Sequence, residues 1–359
     1  MLSVCIIAKN EERVIDKCLS ALTIPDIEII FVDTGSTDGT RETASKYTDK
    51  IFDFEWCNDF SAARNFAVSK ASYDCILSVD ADEVLKASDA DAAHLRELAD
   101  RITRSDDNIL GNITCRSFYS NGQDDGGETV NIERIPRMFS KRRFIYSGIV
   151  HEQLVPLRNP SDSERTYVET GLTFDHYGYF GDEFFIEQKT ARNIELLSRM
   201  HEDNPDDPYV LYQLGKSYYM RHDYETAREL FDKCLYFDLE PSLEYVSDLV
   251  TSYGYTLLNT GRYEAALSLE GIYGDFSHSC EFVFLMGLIY MNNGFIDNAV
   301  NEFQKAAKFN ACKIEGCNSY KPYYNIGVIY ECTGNKKLAR EYYKKCGRYS
   351  PAKQRLRKL

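Results

Sequence analysis

An α/β domain followed by an all-α repeat domain is the fold class this sequence predicts, on three observations. Short apolar runs alternate with helix-spaced apolar residues through the first 80 positions; Asp and Pro residues interrupt the pattern near residue 205; and a glycine–alanine register then recurs four times. The length of 359 residues agrees, since one core takes about one to two hundred.

Leu2 to Ala8 reads as a fully buried strand, and Glu11 to Leu22 carries Val14, Ile15, Cys18, Leu19 and Leu22 at helical spacing. Strands at 27–32, 50–54 and 74–79, with helices at 37–47 and 60–69, continue the alternation. Such a pattern means a parallel, doubly wound sheet that binds ligands at the carboxyl ends of its strands. Past Val84 the pattern loosens into a helix at 88–102, a strand at 109–119, a polar loop over Asn121 to Glu128, and short strands and turns over 130–175. A helix at 183–200 leads into the Pro- and Asp-rich run Asp203 to Pro208, which predicts domains 1–203 and 204–359.

Beyond Tyr209, each of Gly215, Gly254, Gly287 and Gly327 is followed twelve residues later by alanine: Ala227, Ala266, Ala299 and Ala339. Tyr218, Tyr290 and Tyr330 stand three after their glycines, and Cys234, Ala306 and Cys346 nineteen after. This register resembles the tetratricopeptide repeat, a pair of helices whose small positions allow close packing. The glycine spacings of 39, 33 and 40 place insertions after the first and third units.

A net charge of −14 argues against a protein that binds nucleic-acid backbones. Lys141-Arg142-Arg143, with Arg134 and Arg137 nearby, is a local basic cluster that could meet an anionic substrate or serve as a solvated turn. The eleven cysteines include no C-x-x-C pair and read as free thiols in a reducing compartment. No transmembrane segment is expected, and Met1 leads directly into a strand with no basic leader, so the expected location is the cytoplasm.

The apolar run Leu77-Ser-Val-Asp80-Ala-Asp82-Glu83 ends in two carboxylates one residue apart. On an extended chain both would reach one hard divalent cation, which would in turn hold a diphosphate. Ile29 to Thr40 is a strand ending in Asp33, then a glycine turn and a helix start; Asp33 could accept a hydrogen bond from a base or ribose, while Asp38 reads as turn and cap.

Four blocks in order, Ser3-Val-Cys-Ile-Ile-Ala-Lys-Asn-Glu-Glu12, Val32-Asp-Thr-Gly-Ser-Thr-Asp-Gly-Thr40, Phe60-Ser-Ala-Ala-Arg-Asn65 and Val79-Asp-Ala-Asp-Glu83, resemble the nucleotide-sugar half of family 2 glycosyltransferases. The resemblance covers about residues 1–180 and implies an inverting, metal-dependent enzyme on a GT-A fold, a Rossmann-like, mostly parallel sheet. It implies that Asn10, Glu11 and Asp33 contact uridine, Arg64 the diphosphate, and Asp80 and Asp82 the ribose and a Mn²⁺ or Mg²⁺ ion. In relatives with a similar later segment a His-Glu pair stands where His151-Glu152 stands here, which makes Glu152 the candidate general base. The zinc-protease alternative fails because Val155 occupies the position of the second histidine. His176, before Tyr177 and Tyr179, is a candidate third metal ligand or a structural histidine.

The expected activity is transfer from a UDP-sugar donor to an acceptor held partly by the repeats, such as a Ser, Thr or Cys side chain of a protein or peptide. Alternatives are a lipid-linked or cell-envelope glycan as acceptor, with the repeats used for docking or a homodimer, and an inactive transferase domain on a repeat scaffold.

Overall fold

The computed structural model describes residues 1–104, 107–120, 128–158, 165–177 and 183–359. It divides into two compact units, one over Met1–Tyr119 and Val130–Phe180, the other over Gly181–Leu359 with Ser120–Thr129.

The first unit is built on strands β1 (Leu2–Ala8), β2 (Ile27–Asp33), β3 (Ile51–Asp53), β4 (Cys75–Asp80), β5 (Glu83–Leu85), β6 (Ile109–Ser120), β7 (Glu128–Ser140), β8 (Phe144–Ser147), β9 (Gln153–Pro156) and β10 (Thr166–His176). Eight form one sheet in the order β3-β2-β1-β4-β7-β6-β10-β5, and β8 and β9 pair separately. The first four run parallel, as does β6 with β10; β7 is antiparallel to β4, and β5 to β10. Helices α1 (Ile15–Ala21), α2 (Thr40–Ala44), α3 (Phe60–Lys70) and α4 (Ala92–Arg104) fill the connections.

The alternating apolar runs become sheet core because β1 and β4 are buried on both faces, with Val4, Ile6, Leu77 and Val79 almost wholly enclosed. Register then sets the site. Ala8 lies opposite Asp33 and Ile7 opposite Asp80, so the acids that end β2 and β4 flank the end of β1. Residues 130–175, expected as short strands and turns, instead hold the long strands β7 and β10; side-chain alternation in β10, buried at Val168, Thr170, Leu172 and Phe174, carries it across the sheet.

The second unit is helical. Its first helix, Glu183–Asp203, belongs to it and not to the sheet unit, so the division falls one helix before the expected 203/204 junction. Pro208–Met220 and Tyr224–Cys234 form the first repeat pair, each started by an aspartate side chain, Asp207 or Asp223, that accepts backbone N–H groups. Cys280–Asn292 with Ile296–Ala306, and Tyr320–Cys332 with Lys336–Lys345, form the third and fourth.

In these three pairs the glycine faces an aromatic ring sixteen residues on. A Cβ on Gly215, Gly287 or Gly327 would stand 2.4, 2.7 or 2.5 Å from Phe231, Phe303 or Tyr343. The second unit departs: Gly254, on Glu244–Asn259, faces Leu285 and Leu269, and its partner helix is broken into Tyr263–Ala266, a 3₁₀ stretch Leu267–Ile272 and Tyr273–Phe276. Glu270 stands sixteen after Gly254, so no ring is available there for a regular second helix to pack.

Candidate active site

Three clusters lie at the carboxyl ends of the parallel strands. The first joins the β1–α1 and β2–α2 loops. Asn10, in the left-handed region at φ 58°, accepts from the Thr37 N–H at 2.8 Å, and its own N–H donates to Ser36 Oγ at 3.0 Å. The Glu11 N–H donates to Thr40 Oγ1 at 2.8 Å, and the Asp33 carboxylate accepts from the Gly35 and Ser36 N–H groups at 3.2 and 2.9 Å. Asp38 accepts from the Glu12 and Thr40 N–H groups, so it serves as turn and cap. Asn10, Glu11 and Asp33 are thereby brought together at one edge of β1.

The second cluster centres on Arg64, which α3 delivers almost buried, at 7% exposure. Its Nη2 donates to Asp80 Oδ1 at 2.6 Å, its Nη1 to Ser78 Oγ at 3.0 Å, and its Nε to Glu152 Oε1. The guanidinium also stacks over the Tyr146 ring. Glu152 comes from the turn between β8 and β9, whose shape needs Gly148 at φ 100° and puts His151 at φ 51°. Asn65 fixes that hairpin to α3: its side chain donates to the Tyr146 carbonyl at 2.9 Å and accepts from the Tyr146 N–H at 3.0 Å.

Arg137 enters the same cluster from β7, with Nη2 2.6 Å from Asp80 Oδ2 and 3.4 Å from Glu83 Oε1. Partial burial would raise the Asp80 pKa, but Arg137 and Arg64 hold the carboxyl well below the usual carboxylate range. Glu83 moves the other way: burial, with Asp80 beside it, pushes it up against the pull of Arg137.

In the third cluster, Asp82 Oδ2 lies 3.4 Å from His176 Nε2, and the other ring nitrogen, Nδ1, is 3.1 Å from Ser117 Oγ. Burial would lower the His176 pKa; Asp82, with Glu83 and Asp80 adding to it, more than offsets this and raises it. Asp80 and Asp82 do not lie on one extended face as the D-x-D spacing suggested. The strand ends at Asp80, a turn follows, and Glu83 Oε2 accepts the Asp80 N–H at 2.9 Å. The chain has to turn here because β4 pairs with β1 whereas β5 pairs with β10, where Glu83 lies opposite His176.

The donor set fits a divalent cation in part. Two ligands at right angles about 2.1 Å from an ion lie about 3 Å apart, close to the Asp82–His176 separation, and such ions take one or two protein ligands with substrate phosphates supplying others. Among the described residues no group of three or more His, Cys, Asp or Glu side chains is arranged to hold a metal. The neighbouring cluster is short of positive charge: Arg64 and Arg137 face Asp80, Glu83 and Glu152.

Arg137 was visible in the sequence only as part of a basic cluster. The strand pattern does not separate it from Arg134, which also stands among apolar residues yet is exposed; its burial beside Asp80 and Glu83 is visible only in the fold. The rest of that cluster is tied down elsewhere: Lys141 Nζ donates to the Ala71 carbonyl, Arg142 lies 3.8 Å from Asp74, and Arg143 donates to the Asp107 carbonyl. Tyr179 and the polar loop over 121–127 lie outside the described residues.

The mostly parallel sheet thus sets acids at adjacent strand ends beside a buried charged cluster, and the comparisons point to glycosyl transfer. Residues 3–151 match the model of the family Glycosyl transferase family 2, and residues 320–353 match that of the Tetratricopeptide repeat. The N-terminal unit thus carries a family 2 glycosyltransferase domain, and the helices that follow it are of tetratricopeptide type.

A TPR repeat-containing protein of Synechococcus elongatus is 25% identical over 94% of this chain and 72% of its own length. The lipopolysaccharide core biosynthesis glycosyltransferase LpsC of Rhizobium meliloti is 34% identical over 44% of the chain. The SPbeta prophage-derived glycosyltransferase SunS of Bacillus subtilis is 28% identical over 64%. The chain spans 58% and 52% of the lengths of these two glycosyltransferases. Among solved structures, YrrB, a TPR protein with an unusual peptide-binding site, matches 49% of this chain and 90% of its own at 21% identity and a TM-score of 0.41. No helix among the described residues is long and apolar enough to cross a membrane.

Proposed function

We propose that this chain is an inverting glycosyltransferase that moves a sugar from a UDP-sugar to a Ser, Thr or Cys side chain of a protein or peptide. The observation that carries the reading is Arg64, whose guanidinium ties Asp80, at the donor end of β4, to Glu152 in the β8–β9 turn. Asn10, Glu11 and Asp33 would hold the uridine, and Asp80 the ribose. Arg64 would face the diphosphate.

In the reaction the acceptor oxygen or sulfur attacks the anomeric carbon, the bond from that carbon to the diphosphate oxygen breaks with its electron pair, and UDP leaves. Glu152 takes the acceptor proton, its carboxylate oriented by the Arg64 Nε–H. Asp82 and His176 would hold a Mn²⁺ or Mg²⁺ ion, which supplies charge neutralisation on the leaving diphosphate.

UDP titrations of the wild type and of Glu152→Gln, with Mn²⁺ and with chelator, test the assignment alongside turnover. Glu152→Gln is expected to bind UDP as the wild type does and to lose about 10²–10⁴-fold in kcat; full turnover in that variant would remove Glu152 as the base. An envelope or lipid-linked glycan is the second reading for the acceptor, favoured by the name of the relative LpsC. An acceptor panel containing both classes separates them.

A further inference from the structure

The last two helices of the helical unit, Lys336–Lys345 and Ser350–Lys358, carry a charge opposite to the rest of the chain. Ten of the 42 basic residues but one of the 56 acidic residues lie between positions 336 and 358, so this segment carries +9 and the remainder −23. Nine of the ten are exposed, and the tenth, Arg355, pairs with Glu331 at 3.3 Å. Lys344, Arg348, Lys353 and Arg357 have no carboxylate within 4.0 Å among the described residues. The contrast with Lys141, Arg142 and Arg143, each held by a neighbour, is direct.

An exposed helix face needs polar groups, but a balanced mixture of charges would provide them without this self-repulsion. We infer that this end of the helical unit is a docking surface for an anionic membrane surface. Ala339, Tyr343, Cys346 and Ala352 anchor the two helices in the unit; Lys345 lies over the Tyr342 ring and Arg340 donates to the Leu359 carbonyl, while Lys344, Arg348, Lys353 and Arg357 are exposed. Six of the ten are lysines, compact point charges suited to a diffuse field of lipid headgroups more than to forked recognition of a single phosphate. The strongly acidic remainder would repel a long nucleic acid that wraps the molecule, whereas a flat membrane can meet one end while screening hides the rest beyond about 8 Å.

The test is co-sedimentation of the full chain with vesicles of phosphatidylcholine alone, or of phosphatidylcholine with about one-third phosphatidylglycerol, at about 50 and about 300 mM KCl. Binding is expected to the anionic vesicles only and to weaken at the higher salt. The quadruple variant Lys344→Glu, Arg348→Glu, Lys353→Glu, Arg357→Glu should bind on the order of a hundredfold less. A parallel variant, Lys141→Gln with Arg142→Gln, should bind as the wild type does, and circular dichroism melting of each variant checks its fold. Failure of the wild type to bind anionic vesicles overturns the inference, as does equal binding by the folded quadruple variant. So does stronger binding to a single-stranded RNA homopolymer than to the vesicles. None of these outcomes depends on glycosyl transfer.

Discussion

In the sheet unit, Arg64, Arg137, Asp80, Glu83 and Glu152 meet in one network drawn from α3, three strands and a hairpin. In the helical unit one close contact, a glycine against an aromatic ring sixteen residues on, is made three times over at Gly215, Gly287 and Gly327. A charge network of that kind cannot be divided, because removing one member leaves its partners buried and unpaired. Repeated contacts add, and each can weaken without the others. Chemistry is therefore concentrated where the structure has no redundancy, and packing is redundant where the site is absent.

The sharpest way to break the contrast is Arg64→Met. It leaves Glu152 without its guanidinium partner and Asp80 with Arg137 alone, and the expected cost is about 3–5 kcal/mol in urea unfolding, with loss of turnover. A cost below about 1 kcal/mol would mean that the network is dispensable to the fold. Next in size, Gly215→Ala, Gly287→Ala and Gly327→Ala should each cost about 1–3 kcal/mol by the same measurement, overpacking outweighing the helical gain of alanine. Gly254→Ala should cost clearly less, since its closest neighbours are the flexible ends of Leu285 and Leu269. Equal losses at all four positions would show that the second unit packs as the others do.

A further effect depends on pH. Burial opposes ionisation of Glu28, but hydrogen bonds from Lys50, Ser3 and Ser72 outweigh it and lower its pKa to about 2 from the usual 4.5. A carboxylate lowered in the folded state stabilises it above the unfolded value, so the contribution is full above about pH 5 and fades as pH falls toward 2. Glu28→Gln should cost about 1–3 kcal/mol at pH 7 and much less near pH 2. A pH-independent difference would exclude ionisation as the cause.

Periodicity made the first four strands and the repeat register legible, because the core there follows the chain locally: buried β1 and β4, and alanine twelve after glycine. Long strands β7 and β10 were less legible, since alternating polar residues over 130–175 resemble turns until a sheet partner exists. The ring sixteen after each glycine was present in the sequence, and its absence after Gly254 marks the broken helix. Site residues on strand ends could be found by motif. Arg137 and Asn65 could not be given their contacts, because what they do depends on partners 54 to 81 residues away.

The position of β10 has a consequence for the order of assembly. Among the described residues strand β5 pairs with no strand but β10, which lies between it and β6 in the sheet. During synthesis the segment Glu83–Leu85 therefore emerges about 90 residues before its mate, Phe174–His176, exists. Until that late strand is inserted, the turn that presents Asp82 has no edge to close against, and His176 has not been made. The acidic corner at Asp82 and Glu83 is the last part of the sheet to take shape, so a nascent chain that stops before residue 166 would hold the Asn10, Glu11 and Asp33 loops without the Asp82–His176 pair.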